Sequence, residues 1–237
     1  MEMGSKNALA VMEDADLDLA VSLALGGAYG GSGQKCTASS RLVVHERIHD
    51  AFVEKMIAGA KAMVVGHALE AGTQIGPVVS AQQLQENLAN VAFGLSEGAE
   101  LVCGGRQVER ASQGFYMSPG LFINSINTMQ INREELFAPL AAVIKVGSYD
   151  EALSVVNDSR FGLTSGIVTT NLARVTHFRC NTKTGCVMVN LPTAGTDYHM
   201  PLGGRWESSY GPREQGSYAA EFYTAGKTAY ISSGMPA

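Results

Sequence analysis

Only four of the 237 residues are cysteine, and Cys36, Cys103, Cys180 and Cys186 form no CxxC pair. The histidines, His45, His49, His67, His177 and His199, stand at no metal-ligand spacing to them, so reduced thiols and no metal are expected. Blocks of positive charge are missing as well. Lysine and arginine are scattered and the formal net charge is −5, which argues against nucleic acid or an anionic membrane as a partner. No uninterrupted apolar run approaches the ~20 residues that span a bilayer, and the first residues lack a basic-then-apolar signal; a cytoplasmic location is expected. Repeats, low-complexity tracts and linkers are also absent. With 46% hydrophobic and 16% charged residues, the chain is read as one globular domain over 1–237.

What is present is an alternation of strand-like and helix-like stretches. Residues 7–12 form a short apolar run, and 14–28 carry acids first and then apolar residues at helical spacing before a glycine cluster. Residues 41–45 are β-branched and lead into 48–63, where Ile48, Phe52, Met56 and Ile57 share a face. The pattern continues with a helix at 80–96, a strand at 100–103 and a Gly104-Gly105 turn. Strands at 140–146, 165–169 and 185–189 are separated by helices at 149–157 and 173–181. Alternation of this kind implies βαβ crossovers, hence an α/β fold with a mostly parallel sheet and helices on both faces.

One cysteine stands apart. In GGAYGGSGQKCTASSR, residues 26–41, Cys36 follows a run of glycines. A buried inert thiol is the commoner fate of a cysteine, and that reading goes to Cys103, Cys180 and Cys186. For Cys36, the glycines Gly30, Gly31 and Gly33 would let the backbone approach a ligand closely. The residues after it would begin a helical turn whose free N–H groups favour a thiolate.

Four stretches read together carry a resemblance: MEMGSKN at the start, GQKCTASSR, REELFAPL at 133–140 and PLGGRWESSYGPREQG at 201–216. In content and order they resemble the aldehyde dehydrogenase superfamily, and GQKCTASSR with SSYGPREQG is most similar to the semialdehyde branch, especially 2-oxoglutarate semialdehyde dehydrogenases. The resemblance implies that Cys36 is the nucleophile and Glu2, 34 positions before it, the general base. Glu135 would hold the nicotinamide ribose and Phe137 would pack beside the nicotinamide. The chemistry suits these residue types. An aldehyde has no leaving group, so a thiolate must first add to it; the thiohemiacetal can then expel hydride, and a base-activated water hydrolyses the thioester left behind.

The resemblance runs from Glu2 to about Ile231 but corresponds to the C-terminal half of a family member, the dinucleotide-binding half being absent. NAD or NADP would serve the full-length parent, with neither bound by this chain alone, and slow cofactor-independent ester hydrolysis is the activity expected to survive. The alternative is a non-catalytic scaffold or assembly domain that keeps the fold. Ser5, Ala8, Leu202 and Trp206 depart from the family pattern, which usually has glycine, proline, phenylalanine and a smaller or more polar residue there. Glu2, near a chain end, is expected to fray and to be ill held. Lys35 and Arg41 are read as solvated or ion-paired, and His199 as structural. The substrate implied is a small aldehyde or semialdehyde. The tail, 221–237, resembles the family's subunit-interface segment and is read as a strand with an unpaired edge that makes the chain a homo-oligomer.

Overall fold

The computed structural model describes residues 1–234. The elements in chain order are β1 (Asn7–Val11), α1 (Leu17–Tyr29), β2 (Ser39–His45), α2 (Glu46–Ala62), α3 (Ala81–Ser96), β3 (Glu100–Cys103), β4 (Gln107–Val108), β5 (Tyr116–Met117) and β6 (Gly120–Ser125). They continue as α4 (Gln130–Arg133), β7 (Leu140–Val146), α5 (Tyr149–Asn157), β8 (Thr164–Val168), α6 (Leu172–Asn181), β9 (Cys186–Val189) and α7 (Ala219–Tyr223). The helices begin where a side chain can take up an orphan amide: Asp16 accepts from Leu19 N, Ser80 from Gln83 N and Ser148 from Glu151 N. Helix α1 therefore starts at Leu17, later than its acids suggest. Asp14 turns instead toward Thr169, Thr170 and Arg174.

Seven strands form one sheet in the order β3-β6-β7-β2-β1-β8-β9, with β4 and β5 as a separate hairpin. All neighbours in the sheet are parallel except β3 and β6. All five residues of β1 are buried: Leu9 and Val11 join a core with α1 and α2, while Ala8 and Ala10 join another with α5 and Phe178 of α6. Helices thus cover both faces, as the alternation implies.

Several readings are corrected. Strand β6 was not foreseen, because Asn124, with φ of 54°, breaks its alternation and shifts the register against β7. Arg41 is not solvated, and among the described residues it makes no ion pair. It is buried at 2% exposure and donates to Lys6 O at 3.1 and 3.0 Å, Val155 O at 2.9 Å, Val156 O at 3.3 Å and Asn127 Oδ1 at 2.9 Å. Of the three cysteines read as buried, only Cys103 is; Cys180 is exposed on α6 and Cys186 half-buried on the edge strand β9. The tail is not a strand: Glu221, Phe222 and Tyr223 lie in α7, and residues 224–234 pair with no strand among the described residues. The rest of that segment, 235–237, lies outside the described residues. Among the described residues, 1–234, no helix is long and apolar enough to cross a membrane.

Candidate active site

In open α/β sheets ligands usually gather at the carboxyl ends of the strands. Here the candidate residues sit at the opposite end, in loops that lead into β1, β2 and β7. Helix α1 stops at Tyr29, and Gly30–Gly33 wind a tight turn in which Gly31, Ser32 and Gly33 all have φ between 60° and 66°. Ser32 tolerates this left-handed geometry while its hydroxyl donates to Gly76 O at 2.8 Å. A second turn, closed by Ala38 N donating to Lys35 O at 2.9 Å, carries Cys36 directly into β2. No helix follows the cysteine, contrary to expectation, because strand pairing with β1 begins at Ser39.

Gly33 also meets a packing constraint. A Cβ on Gly33 would stand 2.0 Å from Ala138 O, and one on Gly31 would meet the Lys35 side chain, whereas at Gly30 nothing lies within 4 Å. Gly33 is needed so that the Cys36 loop can lie directly on the backbone that precedes β7.

Glu2 is pinned, which overturns the expectation of a frayed residue. It bridges Ser209 in antiparallel fashion, Met3 N donates to Ser208 O at 2.8 Å, and Tyr210 N donates to Met1 O at 2.9 Å. Ser209 Oγ accepts from Gly204 N at 2.7 Å and donates to Glu2 Oε2 at 2.6 Å. Glu135 is held against the same N-terminal stretch by Ser5, whose N–H donates to Glu135 Oε1 at 2.9 Å. The other carboxylate oxygen lies 2.1 Å from where a Gly4 Cβ would be, and Gly4 has φ of 104°, a conformation that favours glycine. Ser5, Gly33, Lys35, Glu135, Phe137 and Leu140 line one cleft. Phe137 adopts φ of 52° and is 38% exposed, so it is not a core residue.

The Cys36 thiol is half-buried, and its pKa is pushed up by that burial first, then by the carboxylates of Glu135, Glu2 and Glu214, while its own amide works the other way. Cys36, Glu2 and Glu135 are therefore brought into one electrostatic neighbourhood. Burial also raises Glu135, against the Ser5 N–H and Lys6. Lys6, fully buried, falls to about 7 through burial and the adjoining Arg41 cation. Glu214 and Ser209 were not singled out from the sequence, although both lie in the quoted stretch at 201–216. Leu202 is buried and tied to Glu214 through both backbone bonds of a bridge, while Trp206 is 62% exposed with φ of 56°. His199 is exposed and stacks edge-on with Tyr198.

One oxygen of Glu135 takes the Ser5 amide and the other takes no donor among the described residues. A free carboxylate acceptor on the cleft wall fits a sugar hydroxyl.

Comparison with known proteins gives a consistent result. The pattern described as "Aldehyde dehydrogenase family" matches residues 1–229. Alpha-ketoglutaric semialdehyde dehydrogenase of Bacillus subtilis (strain 168) is 40% identical over 98% of this chain and 48% of its own length. Betaine aldehyde dehydrogenase of Brucella melitensis is 35% identical over 99% of this chain and 48% of its own. Among solved structures, the NAD-dependent aldehyde dehydrogenase from Sinorhizobium meliloti superposes with a TM-score of 0.92 at 32% identity, covering 100% of this chain and 46% of that one. A betaine aldehyde dehydrogenase from Staphylococcus aureus in complex with NAD+ superposes with a TM-score of 0.90 at 31% identity, over 94% and 44% of the two chains. The chain spans about half the length of the curated relatives it matches.

Proposed function

The chain belongs to the aldehyde dehydrogenase family, and on that premise we propose that it performs the covalent part of an NAD(P)-dependent oxidation of a carboxylate-bearing semialdehyde. The observation that carries this reading is Glu2, fixed by Ser209 where its charge is felt by the Cys36 thiol. With three carboxylates nearby, the resting sulfur keeps its proton. Glu2 can take that proton as Sγ bonds to the carbonyl carbon, and the Cys36 amide can donate to the oxygen that becomes negative. After the hydride has left and Glu2 has released the first proton to solvent, a water that loses a proton to Glu2 attacks the thioester; the C–S bond breaks, the thiolate takes that proton back from Glu2, and the acid departs. A nicotinamide in the cleft, with its ribose on Glu135 and its ring beside Phe137, would supply the hydride acceptor. The semialdehyde class is supported by GQKCTASSR and SSYGPREQG and by the Bacillus relative's name.

An aryl ester removes the need for hydride transfer and so isolates these residues. The chain is expected to hydrolyse p-nitrophenyl acetate slowly without cofactor. Cys36→Ser should abolish turnover. Since Glu2 is held rather than frayed, Glu2→Gln should slow deacylation by at least about 100-fold, so that acylated protein accumulates. Undiminished hydrolysis by Cys36→Ser would overturn the proposal.

We also infer homo-oligomeric assembly through the tail, where Tyr230 and Ile231 are 96% and 91% exposed; apolar side chains so fully in water favour a covering surface. Light scattering should give a mass above that of one chain, and a monomer at micromolar concentration would contradict it.

A further inference from the structure

We propose that Asn7 and Thr193 are positioning residues for Cys36: from two separate elements they hold the carbonyls of the turn that carries it and so fix the direction of its amides. The proposal rests on the reading of Cys36 as the nucleophile. Asn7 is the first residue of β1 and is buried at 2% exposure. Its Nδ2 donates to Cys36 O at 2.8 Å and to Ala38 O at 2.8 Å, and its Oδ1 accepts from Thr164 N, at the start of β8, at 3.1 Å. Both amide hydrogens are used on the one turn. The carbonyl between them is taken from elsewhere: Thr193, at 0% exposure in the loop after β9, donates its Oγ1 hydrogen to Thr37 O at 2.8 Å. A hydroxyl has one hydrogen, so in the 2.6 Å contact between Ser39 and Thr193 it is Ser39 that donates.

Three consecutive carbonyls, 36 to 38, thus accept side-chain donors, and the preceding one, Lys35 O, accepts from Ala38 N. In a trans peptide the N–H points opposite to the C=O. Fixing Lys35 O therefore fixes the Cys36 amide, which donates to no other residue among the described ones; fixing Cys36 O does the same for the Thr37 amide. Were these peptides free to turn, carbonyl oxygens would swing toward the sulfur, placing negative dipole ends where an oxyanion develops.

Two reactions of the same sulfur separate positioning from bulk structure. Acylation by p-nitrophenyl acetate passes through a tetrahedral oxyanion that needs an aligned amide; alkylation by iodoacetamide displaces iodide at a saturated carbon and forms none. For the full chain, Asn7→Ala and Thr193→Val should each lower Cys36 acylation, read by mass spectrometry, by about 10- to 100-fold, without lowering its alkylation. Thr193→Val keeps the side chain's shape, so it decides alone if Asn7→Ala does not melt cooperatively. Acylation at the parent rate would overturn the proposal, as would a parallel fall of both reactions. A parent chain that never acylates at Cys36 would instead overturn the nucleophile reading, a distinct outcome.

Discussion

Arg41→Met should destabilise the chain by about 3–5 kcal/mol, measured by urea unfolding. The guanidinium is buried, and its nitrogens serve Lys6 O, Val155 O, Val156 O and Asn127. Burial lowers its pKa to about 10, with the neighbouring Arg133 cation adding to the effect, which still leaves it charged at neutral pH. Methionine fills similar volume but donates nothing. At least two buried carbonyls, of Lys6 and Val156, then lose their partners, at about 1–3 kcal/mol each. At this chain length every 1 kcal/mol corresponds to about 2–4 °C in melting temperature, so a drop of about 10 °C is expected. Arg41→Lys should not rescue it, because one ammonium cannot span carbonyls that a planar fork reaches together. Parent-like unfolding of Arg41→Met would show that the bonds are dispensable.

The second large effect is expected at Gly33. Alanine there would put a Cβ 2.0 Å from Ala138 O and 2.5 Å from its carbon, and would impose a side chain on a residue with φ of 66°. Left-handed backbone costs a non-glycine residue about 1–2 kcal/mol, and forcing extra volume into packed surroundings costs about 1–3 kcal/mol. Gly33→Ala should therefore lose about 3 kcal/mol and, by displacing the Cys36 loop from the segment before β7, most acylation as well. Gly30→Ala is the control. Its φ is −56° and nothing lies within 4 Å of the new methyl, so a change within about 0.5 kcal/mol is expected. Equal stability of the two variants would contradict the close backbone approach assigned to Gly33.

These positions also show what could be read from the sequence and what could not. The parallel sheet was legible because β1, β2, β7 and β8 are short apolar runs spaced by amphipathic helices. Strand β6 was hidden by the bulge at Asn124. Arg41 was misread since its charge suggested solvent, yet β2 is covered on both faces and its middle residues have no solvent side to use. Within the candidate site, Cys36, Glu2, Glu135 and Phe137 were singled out through the motifs that contain them. Pinning of Glu2 was not legible: it depends on residues 208–210, some two hundred positions away, folding back on the chain's first residues. Asn7 and Thr193 act on backbone carbonyls, which every residue has, so no side-chain pattern could announce them.

The most direct test of the central claim is the location of the acyl group. After brief exposure of the chain to p-nitrophenyl acetate, quenching and digestion, mass spectrometry should find the acetyl group on Cys36, with Cys103, Cys180 and Cys186 unmodified. Preferential acetylation of Cys180, the exposed thiol, or labelling spread without preference among the four, would contradict the account.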